Sequence, residues 1–135
     1  MSIKVFCHKE LVSLFSQQGM DLAALKTDFA QYKDQDKPAS NFGRDAEYNH
    51  PNGPPIIREE KVAHLHLEDP NSPWEKQNFQ FNKTSDIHLV YCQGFYNEDY
   101  YLLMALLSPD AHEQALDNNI MYNLGLMAKK FRERY

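Results

Sequence analysis

Lys61-Val62-Ala63-His64-Leu65-His66-Leu67-Glu68-Asp69 alternates polar and apolar residues with a period of two, the pattern of a half-buried β-strand. Successive side chains on a strand point to opposite faces. Ala63, Leu65 and Leu67 therefore share an apolar face, and His64 and His66 share the other. The reading places both imidazoles on an exposed face. Imidazole is the side chain whose unperturbed pKa lies nearest neutrality, so such a pair points to proton transfer or to metal ligation. The plain alternative is a polar solvent face that merely contains histidine.

Further elements follow outward from this strand. Ile87 to Cys92 and Tyr100 to Leu107 have strand character and form a hairpin, with Gly94 to Asp99 as the turn. Toward the N-terminus, Ile3 to Cys7 makes a short strand. Two helical stretches follow it, Lys9 to Gln18 and Asp21 to Lys33, separated at Gly19. Leu11, Leu14 and Phe15 form one apolar stripe, Leu22, Leu25, Phe29 and Tyr32 the next, and Asp21 is placed to cap the second helix. The segment from Asp34 to Pro55, rich in Asp, Asn, Pro and Gly, reads as a long ordered loop. A second polar connection runs from Glu68 to Asp86. Ser108-Pro109 reads as a helix start, with Leu116, Ile120, Leu124, Met127, Ala128 and Phe131 at helical spacing behind it. Gly125 suits a close helix contact. The expected fold is α+β: a small antiparallel sheet of about four strands against two N-terminal helices, with a C-terminal helix.

The 135 residues suit one packed domain, and 42% of them are hydrophobic. No apolar run approaches the ~18 residues of a membrane helix, and the start lacks a signal-peptide pattern. A cytoplasmic protein is expected, without membrane association. Cys7 and Cys92 lack metal-type spacing and read as free, partly buried thiols. The net charge of −5 argues against strong unaided binding of free nucleic acid. Near the C-terminus, however, Lys129, Lys130, Arg132 and Arg134 stand against Glu133 alone, which suits either RNA contact or a helix macrodipole.

Phe42-Gly43-Arg44-Asp45-Ala46, Lys61 to Leu67, His88-Leu89-Val90-Tyr91-Cys92-Gln93-Gly94 and Asp117-Asn118-Asn119, with the Met-Ala and Phe-Arg pairs near the end, closely resemble the YafO family of toxins. The resemblance runs from about Leu22 to Tyr135. It implies a type II toxin–antitoxin component acting as an mRNA interferase, a single domain over residues 1–135 that cuts messenger RNA on the translating ribosome. A partner antitoxin would neutralise it. The element order is similar to the wider RelE fold, in which the sheet face and the following helix hold the RNA. Those relatives often use lysine and arginine on the sheet face where this chain has histidine.

RNA cleavage without a metal or cofactor needs a base for the 2′-hydroxyl proton, an acid for the 5′-oxygen, and cations around the phosphate. His64, His66, His88 and His112 are the catalytic candidates, since the element order lets all four converge on one rim. By alternation His88 shares a face with Val90 and Cys92, so it reads equally as a core-edge residue. Arg44 is the loop's phosphate candidate, though Asp45 beside it suits a structural clasp with Phe42 anchored in the core. Tyr91 and Tyr135 are candidates for stacking on bases. Two other function classes stay open. One is a metal-dependent enzyme using His64, His66 and a later histidine near Glu68 or Asp69; the other is a binding module that blocks its target without cutting.

Overall fold

The alternating stretch at the centre of the chain forms strand β3 (Ala63–Leu67), with Ala63 and Leu65 buried on one face and the histidines on the other, in a computed structural model that describes residues 2–135. Four further strands complete its sheet: β1 (Lys4–Cys7), β2 (Phe42–Glu47), β4 (His88–Gln93) and β5 (Tyr100–Leu107), in the order β1-β5-β4-β3-β2. Neighbours from β5 through β2 run antiparallel, and β1 lies parallel to β5, with Lys4 opposite Tyr100 and Cys7 opposite Leu103. The sheet is thus mixed and five-stranded, larger than the expected antiparallel four.

The additional strand, β2, comes from the segment read as loop. Gly43 and Asp45 have poor strand propensity, but tertiary partners override it. Arg44 N–H donates to Lys83 O at 2.8 Å, and Asp45, Ala46 and Glu47 pair with Leu65, His64 and Ala63. The register slips between Phe42 and Asp45, which accommodates the poor formers in a bulge-like irregularity. Gly43 is also fixed sterically. A Cβ there would overlap the Lys83 carbonyl oxygen and crowd the Trp74 ring. Gly43→Ala is therefore expected to destabilise the protein by about 1–3 kcal/mol, the usual cost of overpacking, read from a denaturant midpoint. A change below about 0.5 kcal/mol, the scale of a neutral surface substitution, would show that the Lys83 loop yields freely.

Helices cover both faces of the sheet. On one side, α1 (Lys9–Gln17) and α2 (Leu22–Gln35) set Leu11, Phe15, Leu25 and Phe29 against Leu65, Leu89 and Leu103. Asp21 caps α2 as expected, its carboxylate accepting from Ala24 N–H at 3.0 Å. On the other side lie α3 (Pro55–Glu59), α4 (Ala111–Gln114) and α5 (Asn118–Arg134), which bury Ile57, Met121, Leu124, Ala128 and Phe131 against Val90, Cys92, Leu102 and Met104. Gly125 is the point of close approach, facing Ile56 of α3. The expected single helix after Ser108 is two helices. Asp86 captures the start of α4 through Ala111 and His112 N–H, and Asp117 caps α5 by accepting from Asn119 and Ile120 N–H. Leu116 lies in the break between them, exposed rather than in the core. Cys7 and Cys92 are free thiols, and burial pushes the Cys92 thiol up to about 12.

Candidate functional site

Cross-strand register assembles the histidines. His66 lies directly opposite His88, and His64 opposite Val90, so the β3 pair and the first residue of β4 share the face toward α4. Ring centroids are 4.4 Å apart for His66 and His88, 4.5 Å for His64 and His88, and 5.1 Å for His64 and His66. His112, on α4 and exposed, brings its ring to 6.0 Å from His88. All four rings lie together at one end of the sheet. The expectation of an exposed face does not hold, because α4 and the segment after β2 cover it. His66 and His88 are each 3% exposed, and His64 is partly exposed.

The covering residue is Tyr48, which the sequence reading passed over. Its ring stacks on His64 at 4.0 Å and 12°, and its hydroxyl shares a 2.9 Å hydrogen bond with His88 Nδ1. Ser85 orients His66: its N–H donates to Nδ1 at 2.8 Å, and its carbonyl oxygen lies 3.0 Å from the same atom. Backbone of either sense therefore meets that nitrogen, so the tautomer is free to change. Two ring nitrogens, His64 Nδ1 and His88 Nε2, are buried with no partner among the described residues. Desolvation dominates the electrostatics. Burial lowers the pKa of His64 to about 4 and that of His88 to about 3, with neighbouring imidazoles adding to both, and burial lowers His66 as well. At neutral pH the three rings are uncharged bases with available lone pairs.

Arg44 belongs to this end of the sheet. Its charge lowers the pKa of both His64 and His66, and it is held by an Nε bond to Phe81 O at 2.7 Å with the guanidinium 4.1 Å above the Phe81 ring. Phe81 is 68% exposed, an aromatic platform that no sequence periodicity marked. Asp45 points to the opposite face. Its carboxylate accepts from Tyr32 Oη and Lys33 Nζ, each at 2.7 Å, and from Tyr91 Oη, so the clasp reading of this motif holds and Phe42 is buried beside it.

Several candidates fall elsewhere. Tyr91 is a correction: its ring is buried against Phe29 with its hydroxyl bound to Asp45, leaving no face for a base. Tyr135 packs on Phe6, Tyr100 and Phe131, and its carbonyl oxygen accepts from Tyr96 and Asn97 N–H in the β4–β5 turn. Arg132 does not project freely either. It pairs with Glu60 at 3.2 Å and donates to Gln93 O at 3.0 Å. Lys129, Lys130 and Arg134 are exposed. This C-terminal group sits at the Gln93 end of β4 and the histidines at its His88 end, five residues or roughly 16 Å apart at the strand rise. One compact site does not contain both.

Residues 30–133 match the family described as Toxin YafO, type II toxin–antitoxin system. The chain is also similar to the mRNA interferase toxin YafO of Escherichia coli (strain K12), 46% identical over 116 residues that span 85% of this chain and 88% of that protein. No solved structure matches significantly. No helix among the described residues is long and apolar enough to cross a membrane. A family match over most of the chain, together with a relative this similar across nearly the whole of both sequences, means that the chain belongs to the YafO toxin family of type II toxin–antitoxin systems.

Proposed function

We propose that the protein is an mRNA interferase: a single cytoplasmic toxin domain over residues 1–135 that cleaves messenger RNA on the ribosome, needs no metal for the chemistry, and is neutralised by a partner antitoxin. The observation that carries this reading is the convergence of His64, His66, His88 and His112 with Arg44 at one end of the sheet. The 2′-oxygen attacks the adjacent phosphorus, a neutral imidazole takes its proton, and the P–O5′ bond breaks as the 5′-oxygen gains a proton. The products are a 2′,3′-cyclic phosphate and a 5′-hydroxyl.

Positions suggest the roles. His64 is the one member of the buried trio that stays partly open, and it is the base. His112 is exposed at the rim and is the proton donor, while His66 and His88 hold the array in place. Arg44 binds the phosphate, whose developing charge a planar guanidinium meets through paired hydrogen bonds, and Phe81 offers a stacking face beside it. His64 Nδ1 is buried, so contact with a 2′-hydroxyl requires the cover over the cluster to open. The ribosome-bound message supplies that trigger. Lys129, Lys130 and Arg134 are a separate phosphate-contacting patch toward ribosomal or messenger RNA, on a sheet and helix arranged as in the RelE group.

The test adds purified protein to ribosomes translating a defined message, with a zinc-selective chelator present, and maps the RNA ends. New 5′-hydroxyl ends are expected on ribosome-bound message. Deproteinised message at physiological salt is expected to survive, because a chain of charge −5 gains little from phosphate contacts alone. Equal cutting of free message refutes ribosome dependence, and blocked translation without new ends identifies a toxin that binds and does not cut.

A further inference from the structure

We propose that His64, His66 and His88 form a binding site for a divalent transition-metal ion of the Zn²⁺ class, and that its occupancy switches RNA cleavage off. One ring nitrogen from each histidine lies within 4.8 Å of the others. Around a tetrahedral ion with bonds of about 2.0 Å, ligand nitrogens stand roughly 3.3 Å apart, so modest rotamer adjustment closes the set. Two buried nitrogens, His64 Nδ1 and His88 Nε2, have no hydrogen-bond partner among the described residues. Leaving buried polar atoms unpaired costs stability, and a bound ion removes that cost.

The surroundings match what imidazole ligands need. A metal-bound histidine donates its second ring N–H to a fixed acceptor. Tyr48 Oη stands 2.9 Å from His88 Nδ1 and can hold that ring with Nε2 turned to the ion, while His66 Nδ1, which accepts from Ser85 N–H at 2.8 Å, also has Ser85 O 3.0 Å away as the acceptor it needs once Nε2 ligates. Among the described residues neither a carboxylate nor a thiol joins the trio. An all-nitrogen set selects Zn²⁺, Cu²⁺ or Ni²⁺ over Mg²⁺ and Ca²⁺, which prefer oxygen. Three protein ligands leave one coordination position open.

Metal binding stands on this geometry alone, whereas inhibition rests on the reading of the cluster as the cleavage centre. An ion held there ties up the lone pair that His64 uses as a base. Chelated protein is therefore titrated with Zn²⁺ by calorimetry and by thermal shift, with Mg²⁺ as the control. One ion per chain is expected, with a rise in Tm on the order of 10 °C at a hundredfold excess over Kd. Co²⁺ should give the visible absorption of a four-coordinate nitrogen site in the unaltered protein, which makes the test independent of any variant's folding. His64→Gln, checked by circular dichroism, should weaken binding by about 10-fold or more. Ribosome-dependent cleavage at constant Mg²⁺ should fall as Zn²⁺ occupancy rises and return on chelation. Absence of binding with cleavage intact overturns the ion site and leaves the nuclease reading standing. Binding without loss of cleavage overturns inhibition and removes the cluster from the chemistry.

Discussion

Replacing His64 with alanine lowers ribosome-dependent message cleavage by about 10²-fold or more, the usual scale for loss of a general acid or base. His66→Ala should give a loss of the same order, because it removes a ring that holds His64 and His88 in place. The two variants differ in what else they disturb. His64 is partly exposed, and its truncation removes mainly a stack with Tyr48. His66 is buried, and its removal leaves Ser85 N–H without its acceptor, a cost of about 1–3 kcal/mol in stability. His66→Gln, which keeps an acceptor in reach, separates folding from chemistry. Cleavage is measured at saturating ribosome concentration on variants shown to be folded, alongside ribosome binding. A loss of rate with binding retained supports a role in the chemical step. Unchanged cleavage in both variants removes these residues from the mechanism.

Asp45→Ala is expected to destabilise the protein by about 2–4 kcal/mol, a little below the roughly 3–5 kcal/mol for breaking a fully buried ion pair because both side chains keep some solvent, lowering Tm by on the order of 10 °C. Asp45 and Lys33 are 2.7 Å apart, with side chains 15% and 17% exposed. The carboxylate also accepts hydrogen bonds from the hydroxyls of Tyr32 and Tyr91, and burial together with that carboxylate holds the two phenols well above their ordinary pKa. The Lys33 ammonium is further surrounded by the rings of Phe29, Tyr32, Tyr91 and Tyr101. Without Asp45 this charge stays in an aromatic enclosure with no counterion. Lys33→Met should therefore recover much of the loss when combined with Asp45→Ala, since the double variant buries no unpaired charge. Additive losses in that cycle, or a change in Asp45→Ala below about 0.5 kcal/mol, would show that solvent already screens the pair.

Local chemistry made much of this molecule legible in the sequence. Alternation in β3 fixed which residues share a face, the spacing of Leu22, Leu25, Phe29 and Tyr32 fixed the buried side of α2, and Asp21 marked its start. Each follows from periods of 2 and 3.6 and from a cap within three residues of its target, so no distant partner is needed. The resemblance, carried by several short motifs, gave the family.

Tertiary structure decided the rest. β2 exists because the edge of β3 and the Lys83 carbonyl supply hydrogen-bond partners to residues that do not favour a strand alone. β1 pairs with β5, nearly one hundred residues away in sequence, and no local pattern specifies a parallel neighbour so remote. The histidine face became an interior one for a similar reason: alternation says which side chains point together, while Tyr48 after β2 and His112 on α4 decide whether water or protein meets them. Tyr48 over His64, Ser85 against His66 and the union of His88 with the β3 pair depend on register and on partners 16 to 24 residues apart in sequence. Arg132 was legible as a cation near a helix end, but its capture by Glu60 and Gln93 O required α5 to dock on the sheet. A period along the chain determines relative orientation, and only packing determines environment.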